Sequence, residues 1–428
     1  MDNKENKTLI INRSEKVKDF EIMAPTGNFE CLRAAIQGGA NSVYFGVENL
    51  NMRSKSANNF KLSQLADIAE ICKNSSVKSY LTLNVVMYDA DLTDMRKIVD
   101  EVKKSGIDAI IASDQAAINY ARQRNVEVHI STQLNISNIE ALKFYAQYAD
   151  VVVLARELNL TQVAEIHKQI YEEQIKGPGG KLIKLEMFAH GAFCMSISGK
   201  CYLSLHEYNY SANRGTCLQT CRRAYTVTDR ETGAQLEIDN EYIMSPKDLC
   251  TIGFLDKMID AGVSVFKIEG RARSAEYVKT VCRCYSEAVK SIVAGTYNQQ
   301  KIDEWTRQLG NVFNRGFWNG YYLGQRLGEW SKAYGNQSPK RKEYIAKCTN
   351  YFGNIGVAEF LIEAGELNKG DEIIVTGATT GVVEQTVNEI RVDLEPVAKA
   401  EKGVYCSIQT TEKVRRGDKL YKIVDVVK

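Results

Sequence analysis

The sequence predicts an α/β chain in two parts: a (β/α)8, TIM-barrel-like domain with a cysteine-rich insertion, then a small all-β barrel. Three observations carry this expectation. Over the first two-thirds, short apolar runs alternate with longer stretches of helical spacing, the pattern of parallel βαβ units. One Gly- and Ser-rich segment holding four cysteines interrupts that alternation. Beyond about Trp330, short strands are parted by Gly-rich turns, as in NKGDEIIVTG and VRRGDKLYKI.

In chain order the apolar runs are FEIMA (20–24), SVYFG (42–46), YLTLNV (80–85), AIIA (109–112), EVHI (127–130), VVVL (151–154), LEMFA (185–189) and VSVFKI (263–268). A PTGN turn and a helix through Ile36 follow the first run, Leu62 to Cys72 has helical spacing, and a long helix runs from Ser274 to about Val293. Eight runs suit a closed barrel. YIMS (242–245) is a ninth candidate, and an open doubly wound sheet gives the same alternation, although the first two runs carry no G-x-G-x-x-G. The expected boundaries are a barrel domain over 1–330 with its cysteine-rich loop at 191–240, a polar linker (SKAYGNQSPKRK) at 331–342, and a β-barrel at 343–428.

The composition is that of an ordinary globular protein, with 44% hydrophobic and 25% charged residues among 428. A net charge of +2 neither favours nor excludes a nucleic-acid partner. The polar N-terminus lacks the pattern of a signal peptide, and no apolar stretch reaches the ~20 residues of a membrane helix. A cytoplasmic protein without a membrane partner is expected.

Cys194, Cys201, Cys217 and Cys221 fall within 28 residues, spaced C-x6-C-x15-C-x3-C. In a reducing compartment such a cluster points to a soft metal before disulfides. Four thiolates suit an iron–sulfur cluster, and they also suit structural zinc. Zinc sites more often show two tight pairs, and here only Cys217–Cys221 is tight, so the cluster is favoured. Four thiols without metal is the plain alternative. Cys250 is a substitute ligand, although its place at the start of a helical pattern suits a buried thiol. Cys31, Cys72, Cys282, Cys284, Cys348 and Cys406 are scattered in apolar or helical settings and read as buried.

The stretch EMFAHGAFCMSISGKCYLS (186–204) resembles the signature of the U32 peptidase-like family, E-x-F-x2-G-[SA]-[aliphatic]-C-x4-G-x-C-x-[aliphatic]-S. Phe193 departs from it at the aliphatic position. APTGN, GANSVYFG, NRGTCLQTCRR, SPKDL and FKIEGRARSAEYV are also similar to this family, and the C-terminal segment resembles the second domain of translation elongation factors. The family name implies a peptidase, collagenase-like in some members. The chain has no G-x-S-x-G elbow and no H-E-x-x-H helix. A thiol peptidase would need Cys194 beside His190, which leaves three cysteines unexplained.

Members with related cysteine sets act in hydroxylation. For this length and C-terminal barrel, the resemblance implies formation of 5-hydroxyuridine at the wobble position of tRNA. It also implies prephenate as co-substrate, a 4Fe–4S cluster and an electron donor protein. A non-catalytic iron–sulfur assembly or substrate-binding factor is a third possibility.

Barrel active sites lie on the loops after the strands. His190 (at a strand end), Lys267 and Glu269 are the candidate catalytic residues. Alternation sends Lys267 and Glu269 to one face, where they are used or form a structural ion pair. Arg53, Asn84, Gln133, Arg156 and Arg271 are candidate substrate-binding residues, the arginines suiting carboxylate or phosphate. Arg214, Arg222, Arg223, Lys340, Arg341, Lys342, Arg415 and Arg416 could together form a tRNA groove, with Tyr208 and Tyr210 as stacking platforms.

Overall fold

The computed structural model describes residues 17–238, 244–325, 328–331 and 335–426. Eight parallel strands close on themselves: β1 (Glu21–Pro25), β2 (Ser42–Phe45), β3 (Lys78–Leu83), β4 (Ala109–Ala112), β5 (Glu127–Ile130), β6 (Val151–Val153), β7 (Lys184–Gly191) and Val263–Ile268. The last of these pairs with both β1 and β7, which closes the barrel and removes the open-sheet alternative. All eight runs read from the sequence are strands. They are nearly continuous in apolar residues because helices cover the outside while side chains fill the inside. Met23, Tyr44, Tyr80, Ala109, Ile111, Val151 and Val265 form that inner core.

Between β7 and the closing strand lies the insertion. It contains a short helix (Leu203–Tyr208), two 3-10 turns and a hairpin of β8 (Tyr225–Thr228) with β9 (Gln235–Ile238). A short strand, β10 (Asp248–Cys250), then pairs antiparallel with the end of β7, so the closing strand Val263–Ile268 is β11. Cys250 therefore ends a strand, and the next helix starts only at Leu255. Tyr242 and Ile243 of the ninth candidate lie outside the described residues, and Met244 and Ser245 are not strand. Hydrogen bonds tie the insertion across the barrel mouth, from Val86 N to Asn213 O (3.1 Å) and from Lys55 N to Gly215 O (3.3 Å).

Residues from Lys340 onward form antiparallel sheets around a second core that includes Phe360, Val375 and Leu420. Their first strand, Lys340–Phe352, starts inside the segment read as a linker. This unit packs on the barrel's outer helices. Gln37 donates to Thr380 O and accepts from Val382 N, and Lys279 donates to Val382 O and pairs with Glu384. Among the described residues no helix is long and apolar enough to cross a membrane.

Candidate active site

The strand ends and the insertion enclose a cavity of about 810 Å³. Among the described residues, six arginines and two lysines line it, against one carboxylate, Glu269. Arg53, Asn84, Gln133, Arg156, Lys267, Glu269 and Arg271 all line it, as do Cys194, Cys201, Cys217 and Cys221. The residues singled out from their places after strands are thus gathered at one mouth.

Two glycines make the close approaches possible. A Cβ on Gly191, at φ +103°, would meet Glu269 O at 2.4 Å. A Cβ on Gly46 would meet Arg271 Nη1, also at 2.4 Å.

Lys267 and Glu269 do not pair with each other. Lys267 Nζ lies 2.7 Å from Glu186 Oε1, and both side chains are almost fully buried. The ammonium sits over the Tyr44 ring (4.8 Å) and near the Phe188 ring (5.6 Å). Glu186 Oε2 has no partner. Glu269 pairs with Arg53 at 2.9 Å and accepts from Tyr44 Oη at 3.3 Å. Burial pushes the Glu269 carboxyl up, but Arg53, Arg156 and Arg271 outweigh it and hold it below its ordinary value. Arg271 donates to Thr82 Oγ1, and burial lowers its pKa to about 10. Arg156 stacks over Phe188 at 3.7 Å and reaches Ala192 O at 3.5 Å, while its buried Nε has no partner.

All eleven cysteines are free thiols. Burial pushes the Cys221 thiol up to about 11; Arg222 opposes this, and Cys194, Cys217 and Cys201 raise it further. The other three sulfurs are therefore within electrostatic reach of Cys221. Among the described residues no three His, Cys, Asp or Glu side chains are closed into a metal-binding group. What fits a soft metal is the donor set: four unbridged thiols lining one cavity, whose mutual repulsion as thiolates a cation would relieve.

Residues 27–332 match the family model described as peptidase family U32. The chain belongs to peptidase family U32. A protein named collagenase from Porphyromonas gingivalis is 61% identical over 95% of this chain and 98% of its own length. The tRNA hydroxylation protein P1 of Bacillus subtilis is 31% identical over 90% of this chain and 89% of its own length. The 23S rRNA 5-hydroxycytidine C2501 synthase of Escherichia coli is 32% identical over 64% of this chain and 40% of its own.

Two expectations for this U32 chain need correction. His190 does not line the cavity. Between Lys267 and Ile268 the β7–β11 register shifts, so Phe188 pairs with Lys267 but His190 with Ile268. The bulge turns His190 outward, against Tyr277, Tyr285 and Phe317. Burial, with a smaller push from Arg273, lowers its pKa to about 3, so the ring is neutral. Cys250 is also outside the cavity. It is buried beside Tyr285, and burial pushes its thiol up to about 11, which suits a structural residue better than a substitute ligand.

The basic residues proposed for a groove are largely spoken for. Arg214 pairs with Asp91, Arg223 with Glu207, Lys340 with Glu372, Arg341 with Glu343 and Lys342 with Glu276. Arg222 bonds Ser245 Oγ, Pro246 O and Phe193 O. Arg415 donates to Thr380 Oγ1, and Arg416 is exposed. Tyr208 and Tyr210 are exposed, and the Arg223 guanidinium stacks on Tyr208. The residue that sequence reasoning passed over is Glu186. Its signal was phase: it stands two residues before Phe188 on the inward face of β7.

Proposed function

We propose that this U32 protein is an RNA-modifying enzyme that hydroxylates a pyrimidine, specifically wobble uridine of tRNA to 5-hydroxyuridine, with prephenate as co-substrate. The observation that carries the reading is the cavity's lining, rich in arginine and including four free thiols. Arg156 and Arg271, which form no ion pair among the described residues, suit a small carboxylate deep in the barrel. The exposed tyrosines of the insertion suit an unpaired base at the mouth. The relatives named for tRNA and rRNA hydroxylation favour the same chemistry.

Cys194, Cys201, Cys217 and Cys221 would hold an iron–sulfur cluster, which when bound would supply electron transfer and would need an electron donor protein. The other residues have separate tasks. Arg53 and Tyr44 fix the Glu269 carboxylate at the mouth. Arg156 and Arg271 bind anionic substrate groups. Lys267 and Glu186 hold a proton below them, shielded from water by Tyr44 and Phe188.

Proteolysis is the second reading, favoured by the collagenase-named relative at 61% identity. The thiol–imidazole couple it needs is not formed by the nearest pair in sequence. Cys194 Sγ has Ser196 Oγ at 3.4 Å, and His190 is turned to Tyr285.

The test is a nucleoside mass profile of tRNA and rRNA from a strain lacking the gene, beside protein purified without oxygen. Loss of one hydroxylated pyrimidine, with iron and acid-labile sulfide in the protein, supports the first reading. Unchanged nucleosides, with gelatin cleavage that Cys194→Ala abolishes, would replace it with the second. An intact cluster with neither effect would leave a non-catalytic iron–sulfur factor.

A further inference from the structure

The Lys267–Glu186 pair has a feature that a structural ion pair does not need: its amine opens onto a cavity built for anions. We infer that Lys267 is a covalent amine site that forms an imine with the carbonyl carbon of a 2-oxo acid. The inference does not depend on the RNA reading, and either can fail alone.

Four observations converge on it. Lys267 lines the cavity although its side chain is almost fully buried, and the Tyr44 and Phe188 rings strip water from it. A desolvated lysine is the usual carbonyl-directed nucleophile. Glu186 Oε1 is hydrogen-bonded to the same Nζ and is placed to take its proton, while Oε2 has accepting capacity to spare. Arg156 stacks on the same Phe188 ring and keeps a buried Nε without an acceptor among the described residues. A carboxylate next to the reacting carbonyl would supply that acceptor, which selects a 2-oxo acid over a simple ketone or sugar. Arg271, which donates to Thr82 Oγ1, stands ready for a second anionic group.

The step balances. The Lys267 ammonium passes a proton to Glu186, and the free amine forms a C–N bond to the carbonyl carbon. The carbonyl oxygen takes two protons, one returned by Glu186 and one from the nitrogen, and leaves as water. A further proton from Glu186 is not required, because the imine nitrogen keeps one hydrogen and carries the charge the ammonium began with. The iminium then draws electrons from bonds next to it, and the positive charge stays where Glu186 can face it.

The test is reductive trapping. The purified full-length protein is incubated with pyruvate, and separately with 2-oxoglutarate, and reduced with sodium borohydride. Intact mass and peptide mapping then read the adduct. The expected result is one adduct per chain on the Lys267 peptide with at least one of the acids. It should be absent in Lys267→Arg and retained in Lys200→Arg, which removes the other lysine on the cavity wall. Glu186→Gln, checked for native folding by its thermal melt, should trap on the order of a hundredfold more slowly. No adduct with either acid would overturn the inference. So would an adduct that maps to Lys200, or one spread evenly over surface lysines. Mapping the wild-type adduct decides the question even if Lys267→Arg does not fold.

Discussion

The barrel has two ends, and each buries a glutamate beside a lysine. At the floor, Glu21 of β1 accepts from Lys78 (2.5 Å) and Lys184 (3.5 Å) on one oxygen and from Tyr80 Oη (2.8 Å) on the other. Burial pushes its carboxyl up, but Lys78 above all, with Lys184 and His129, brings it below its ordinary value. Nearer the cavity, Glu186 of β7 has Lys267 on one oxygen and, among the described residues, nothing on the other. The two carboxylates flank the same residue, since Glu21 and Glu186 both pair in register with Val265. The contrast separates a closure from a site. A carboxylate saturated by side chains of its own chain plugs the barrel, whereas one with acceptor capacity left over lies under an 810 Å³ cavity.

The largest expected effect lies at the mouth. Cys201→Ser should remove bound iron and the hydroxylated nucleoside together, read by metal analysis and nucleoside mass spectrometry. The same substitution at Cys72, a buried thiol in a barrel helix, should leave iron content unchanged. Retention of iron in Cys201→Ser would remove that cysteine from the ligand set.

The next effect compares the two lysines directly. Lys267→Met strands a fully buried carboxylate and should cost about 3–5 kcal/mol in denaturant unfolding. Lys78→Met leaves Glu21 with Lys184 and Tyr80, and Lys78 is half exposed, so it should cost about 1 kcal/mol or less. Pairing Lys267→Met with Glu186→Leu should recover most of the loss. Equal costs at the two ends would break the comparison.

Arg156→Gln removes a guanidinium that bonds only a backbone carbonyl, and should weaken binding of a small dicarboxylate by about 1.5–3 kcal/mol in calorimetric titration. Folding should be little affected.

The last effect is confined to acid pH. His190 has its pKa lowered to about 3 from an ordinary 6.5, so the unfolded chain takes up the proton first as pH falls. Its contribution is whole above pH 6.5 and is lost toward pH 3, at up to ~1.4 kcal/mol per pH unit. His190→Phe should flatten that part of the stability profile without changing the trapping of a 2-oxo acid.

What could be read in the sequence follows from which signals are local. Eight strands were legible because each is a short apolar run bounded by turns. Arg53, Asn84, Gln133 and Arg156 were legible because a residue just after a barrel strand has one place to be. His190 followed the same rule and broke it, because a register shift between two strands is invisible in either strand alone. The partners of Lys267 and Glu269 were not legible for a similar reason. Sequence neighbours share a face, but Lys267 meets Glu186 and Glu269 meets Arg53 across 81 and 216 positions of chain. The basic runs looked like a groove because the acidic partners of Arg214, Arg223, Lys340 and Lys342 lie elsewhere in the chain.

The plugged floor also dictates an order of events. With Glu21, Tyr80, Lys78 and Lys184 corking one end, the described residues leave the compartment facing the opposite end, where the insertion is tied across the mouth. If the proposed RNA and small acid are both substrates, a polymer resting on that threshold would seal the small reactant inside, and the acid would arrive before the polymer and its remnant leave after it. Steady-state kinetics should then show a compulsory sequence, with excess polymer slowing the turnover it takes part in.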